Sequence, residues 1–84
     1  MFSDTDDRFR ESCEWVRTNH QNVDTEDLYR LYGLYKQCTD GNCKVLFSLN
    51  PFAISKMNAW RALHGLSKGD AMIRYVQMVD RLRA

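Results

Sequence analysis

Asp24-Thr25-Glu26-Asp27-Leu28-Tyr29-Arg30-Leu31-Tyr32-Gly33-Leu34-Tyr35-Lys36-Gln37-Cys38-Thr39-Asp40-Gly41 is the stretch whose periodicity decides the fold. Leu28, Leu31, Tyr35 and Cys38 recur at helical spacing, so one face is apolar. Asp24 or Thr25 opens the segment, Glu26 and Asp27 place negative charge in its first turn, and Gly41 offers a left-handed stop. A helix of this kind must bury its stripe against other elements.

The rest of the chain supplies three partners of the same type. Breaks fall near Asn19 to Asp24, Thr39 to Pro51 and His64 to Ser67. Before the first break, about Asp4 to Thr18, Phe9, Cys13 and Val16 stand at i, i+4 and i+7, with Ser3 or Asp4 as the cap. After the second, a helix is expected from about Phe52 or Ala53 to His64. Pro51 sits at its start, Met57 and Trp60 lie three apart, and Gly65 closes it. The last opens on Ser67-Lys68-Gly69-Asp70, a capping box with Asp in place of Glu, and aligns Met72, Tyr75, Val76, Val79 and Leu82. Only Val45 to Leu49 alternates with period two, briefly and inside the long loop. The pattern predicts an all-α bundle of four helices with a long second connection.

At 84 residues there is material for one domain and no second core. No run is long and apolar enough to span a bilayer, and the amino-terminal Met-Phe-Ser-Asp-Thr-Asp-Asp resembles no secretory signal. A cytoplasmic location is therefore expected. Cys13, Cys38 and Cys43 are an odd set, consistent with a reducing compartment. Zinc held by Cys38, Cys43, His20 and His64 is a weak alternative, since the two cysteines stand five apart and the histidines share no motif. With a net charge of +1, the chain's overall field does not mark it as a nucleic-acid binder.

Tyr32, Tyr35 and Lys36 stand at i, i+3 and i+4, so two phenols and an ammonium share one side of the second helix. A phenol offers a flat face and a hydroxyl, and a lysine offers a compact charge that tolerates several phosphate geometries. Together they suit a nucleotide. Spacing alone, however, favours Tyr35 in the core, Tyr32 at its boundary and Lys36 in solvent. By the same standard Trp60 and Tyr75 read as core and Trp15 as a boundary residue. No nucleophile and base, carboxylate pair or phosphate-cradling glycine loop is present, so an enzyme is not expected.

Leu31-Tyr32-Gly33-Leu34-Tyr35-Lys36-Gln37-Cys38-Thr39-Asp40-Gly41 closely resembles the signature of the acyl-CoA-binding protein family, usually Leu-Tyr-x-x-Tyr-Lys-Gln-Ala-Thr-x-Gly. Lys56-Met57-Asn58-Ala59-Trp60 is similar to the family's Lys-Trp-x-Ala-Trp. Leu63-His64-Gly65-Leu66-Ser67-Lys68, Ala71-Met72 and Tyr75-Val76 continue the likeness. It extends from about Phe9 to Leu82. The resemblance implies an up-down-down-up four-helix bundle that carries long-chain acyl-CoA without cofactor or catalysis. It further implies that Tyr32, Lys36 and Lys56 hold the 3′-phosphate and Tyr35 packs on the adenine. Tyr75 would line the site near the ribose, Phe9 would border the acyl tunnel, and Arg17 would add a phosphate contact. A monomer is expected, either a whole carrier or the first module of a longer chain.

The sequence also departs from that pattern. The loop after Gly41 is short, only Lys44 within it and Lys56 in the following helix provide charge, and Leu46, Phe52 and Ile54 stand where polar residues are common. Met57 replaces the first tryptophan of the usual pair. An apolar rim of this kind allows a second reading, a fold retained as a protein-interaction module. Retention of Tyr32, Tyr35, Lys36, Lys56 and Tyr75 speaks for the carrier.

Overall fold

The computed structural model describes residues 4–45, 48 and 50–84. Among these, the chain forms four helices, α1 (Asp4–Asn19), α2 (Thr25–Asp40), α3 (Pro51–Arg61) and α4 (Lys68–Arg83), with a 3₁₀ turn at His20–Asn22. The expected cap at Ser3 and the alternation through Leu46, Phe47 and Leu49 lie outside the described residues.

Local chemistry explains most boundaries. Pro51 occupies the first turn of α3, where its missing N–H costs nothing. The Asn50 side chain ahead of it accepts from the Phe52 N–H at 2.9 Å and the Ala53 N–H at 3.5 Å. That cap was not read from the sequence. Ser67 Oγ accepts from the Asp70 N–H at 3.1 Å, one half of the expected capping box. Gly41 ends α2 at φ 82°, in the region that favours glycine. One boundary differs from expectation: α3 stops at Arg61 and not His64. There Leu63 and His64 turn their N–H groups back to the carbonyls of Trp60 and Arg61, i to i−3, which tightens the chain into Gly65 at φ 89°.

Contacts between helices define the topology. Lys56 meets Tyr32, Ala59 meets Gly33 and Trp60 meets Lys36, so positions on α2 and α3 rise together and the two helices run the same way. Gln37, late in α2, bonds Leu66 just before α4, while Arg30, early in α2, lines one cavity with Arg81 late in α4. Hence α4 runs opposite to α2. The Arg8–Asp80 pair at 2.9 Å and the Arg83–Glu11 pair at 3.3 Å rise together, so α1 follows α4. The order is up, down, down, up.

Leu31, Leu34, Tyr75, Met78 and Val79 form the core, sealed by Phe9, Cys13, Trp15, Val16, Leu63, Leu66 and Leu82. On α2 the buried arc is wider than the sequence stripe and shifted from it. Gly33, Leu34 and Gln37 are buried, whereas Tyr35, expected on the stripe, is 42% exposed. The cause is that α2 packs against both α3 and α4. On α4, which packs against both α1 and α2, Ala71 and Met78 are buried while Met72 is half-buried.

A polar hub fastens the ends. Gln37 has no exposed surface, and its Nε2 donates to Asn42 Oδ1 and to the Leu66 carbonyl, both at 2.8 Å. Asn42 Oδ1 also accepts from the Gly65 N–H at 2.8 Å, and Trp60 Nε1 donates to the Gly41 carbonyl at 2.7 Å. These bonds tie the end of α2 to α3 and to the turn before α4, and those from Gln37 Nε2 and Trp60 Nε1 satisfy donors that would be costly to bury alone.

Candidate functional site

Two clusters lie along one side of α2 and share its residues. The first is charged and sits where α2 meets α3. There Lys56 Nζ stands 5.2 Å from the centre of the Tyr32 ring, and Lys36 Nζ stands 5.1 Å from the Trp60 ring. Each ammonium rests on the negative face of an aromatic π-system. Lys36 also pairs with Asp40 one turn on, and this hydrogen bond raises the lysine pKa and lowers that of the aspartate.

Gly33 sets the spacing of this cluster. A Cβ there would lie 2.7 Å from the Ala59 carbonyl oxygen and 2.8 Å from its carbon, so only glycine allows the α3 backbone this close to α2. The close approach aligns Lys56 with Tyr32 and Trp60 with Lys36. A glycine inside a helix costs about 0.5–1 kcal/mol relative to alanine, and here helix packing justifies it.

The second cluster is aromatic and joins α1, α2 and α4. Phe9 stacks on Tyr35 with ring centres 6.1 Å apart and meets Tyr75 edge-on at 5.1 Å, while Tyr35 and Tyr75 lie 6.5 Å apart. Tyr35 is the open member; Tyr75, only 4% exposed, forms the floor. Burial pushes the Tyr75 phenol pKa well up, aided by its contact with Cys13, so it stays neutral throughout the physiological range.

The sequence model of the family described as Acyl CoA binding protein matches residues 6–79. The chain belongs to the acyl-CoA-binding protein family. Its similarity to an acyl-CoA-binding protein of Dictyostelium discoideum is 40% identity over 76 residues, 88% of this chain and 90% of that protein. An acyl-CoA-binding protein of Brassica napus is 38% identical over 78 residues, 88% of this chain and 83% of its own. The crystal structure of Oryza sativa Acyl-CoA-Binding Protein 2 superposes with a TM-score of 0.85 at 34% identity, covering 94% of this chain and 90% of that one. Membership of this family makes the chain a binding protein and not an enzyme.

Within that family frame, the geometry groups six of the seven residues singled out in the sequence. Tyr32, Lys36 and Lys56 meet at α2 and α3; Phe9, Tyr35 and Tyr75 meet at α1, α2 and α4. Arg17 stands apart, exposed in the last turn of α1, where both its Nε and its Nη2 donate to Glu14. Two participants were not singled out from the sequence, the Trp60 ring beneath Lys36 and the Asp40 counter-ion. The i, i+4 spacing of Lys36 and Asp40 was a readable signal for the second.

Proposed function

We propose that this chain binds long-chain fatty acyl-CoA and carries it as a monomer in the cytoplasm. What supports the reading best is the convergence of Tyr32, Lys36 and Lys56 beside the exposed ring of Tyr35. Two ammoniums and a phenol hydroxyl suit a phosphate, and an open aromatic face suits a purine. In this reading Lys36 and Lys56 hold the 3′-phosphate with the Tyr32 hydroxyl, and Tyr35 packs on the adenine. Tyr75 lines the floor, Phe9 borders the acyl chain, and Arg17 turns from Glu14 toward a further phosphate.

Holding each ammonium over a ring restricts its motion before the ligand arrives, so less ordering cost falls on binding. Lys36 has first to exchange Asp40 for the phosphate. Because that aspartate is exposed, water can take over its solvation at little cost. The acyl chain adds up to about 0.8 kcal/mol for each methylene buried.

Calorimetric titration with palmitoyl-CoA, free CoA and palmitate tests the proposal. The expected result is submicromolar 1:1 binding of the thioester, much weaker binding of either half, and affinity that rises with acyl length until the groove ends. Phe52, 70% exposed, and Ile54 at the start of α3 favour a second reading, a protein-interaction module. The absence of heat with all three ligands from a folded, helical protein would select it.

A further inference from the structure

The opposite side of α2 carries a second concavity that the acyl-CoA reading does not use. An open cavity of about 760 Å³ lies between α2, α3 and α4. Residues step about 100° around a helix, which sets Arg30 and Leu34 roughly 170° from the face bearing Tyr32, Tyr35 and Lys36. On α3 and α4 its lining lies roughly 110° round from Lys56 and Tyr75. The two sites therefore occupy opposite sides of α2.

The cavity has an apolar floor and a cationic edge. Leu34 and Met78 are buried beneath it, with Ala59 and Leu63 half-buried alongside. Three arginines, Arg30, Arg74 and Arg81, stand against a single acid, Glu26. Arg30 is already answered by Asp27 at 3.1 Å and by Glu26 at 3.7 Å. Arg74 and Arg81 make no ion pair or side-chain hydrogen bond with any described residue. Seven positions apart on α4, they flank the cavity about 10 Å from each other. In a chain of net charge +1, this pairing of free guanidiniums with apolar floor is local.

We propose that this cavity is a second ligand site, for a single-chain amphiphile with an anionic head. A guanidinium presents a planar fork of donors that fits a carboxylate or phosphate bidentately, and it is less strongly hydrated than an ammonium. The floor takes the alkyl chain, and Arg74 or Arg81 takes the head. Size favours a small molecule. The volume lies within the range of roughly 300–1,000 Å³ of ordinary ligand pockets, whereas a three-turn helix about 10 Å across would need more than 1,000 Å³.

The test is titration of the intact chain with dodecanoate, below its micelle concentration, before and after saturation with palmitoyl-CoA. Dodecyl phosphate and dodecanol serve as parallel ligands. Saturable 1:1 binding of dodecanoate or dodecyl phosphate that persists beside palmitoyl-CoA is expected, and whichever head binds more tightly identifies the natural class. It should shift the methyl resonances of Leu34, Leu63 and Met78 and weaken at least tenfold in Arg74→Gln/Arg81→Gln, with palmitoyl-CoA affinity retained. Displacement by palmitoyl-CoA, equal affinity in the double variant, equal binding of dodecanol, or no binding of either anion would overturn the proposal. If palmitoyl-CoA itself fails to bind, the carrier reading falls alone, because dodecanoate still reports on this cavity in the unliganded protein.

Discussion

At the scale of single residues, Lys36 and Lys56 are the side chains on which the proposed ligand depends most. Both already lie over aromatic rings, so removing either amine deletes a charge without opening the core. A charge-assisted hydrogen bond contributes about 1.5–3 kcal/mol, equivalent to roughly ten- to a hundredfold in affinity. Lys36→Ala and Lys56→Ala are each expected to weaken palmitoyl-CoA binding by about fivefold or more, with helicity unchanged in circular dichroism. Wild-type affinity in both would contradict the phosphate assignment. The signature residues were legible because their spacing puts them on one helix side, but their environments were not. Tyr35 sits on the apolar stripe yet is exposed, and Trp60 reads as core yet also supports Lys36.

At the scale of elements, the closest helix pair is set by one missing side chain. A methyl at position 33 meets the α3 backbone, which cannot rotate away as a flexible side chain could. Gly33→Ala gains about 1 kcal/mol in helix propensity, and overpacking of the interface costs about 1–3 kcal/mol. The net expectation is a lower thermal midpoint and weaker palmitoyl-CoA binding, because α3 carries Lys56. A variant as stable and as tight-binding as the parent would show that the two helices separate freely. The sequence displayed Gly33 as a solitary glycine inside a helix, with nothing local to say which neighbour it admits.

At the scale of the whole molecule, three buried or half-buried acids make stability depend on pH. Burial raises the thiol pKa of Cys13 and Cys38 above 9.0 and that of the Tyr75 phenol above 10.0. A raised folded pKa means that the native state keeps its proton after the unfolded chain has lost it. Stability is then fully present below the unfolded values and falls as pH rises beyond them. Urea midpoints should stay level from pH 7 to about 8, then decline from about pH 9 upward. Tyr75→Phe should flatten the part of that decline above about pH 10. A midpoint that holds constant to pH 11 would be inconsistent with these burials.

From its sequence alone, this protein declared four amphipathic helices, most of their ends, its family resemblance and the residues that carry it. Those properties are local or nearly so: 3.6-residue periodicity, a cap at Ser67, a helix start at Pro51, a glycine stop at Gly41, and a motif within a single helix. Tertiary structure decided which faces met. It widened the buried arc of α2 by packing α3 and α4 on two sides, left Tyr35 open and closed Tyr75, and brought Lys56 over a ring 24 positions away. It also gathered Arg74 and Arg81 over a floor drawn from three helices. Periodicity specifies that a face is apolar, but the neighbour that covers it is chosen by the packing of the whole chain.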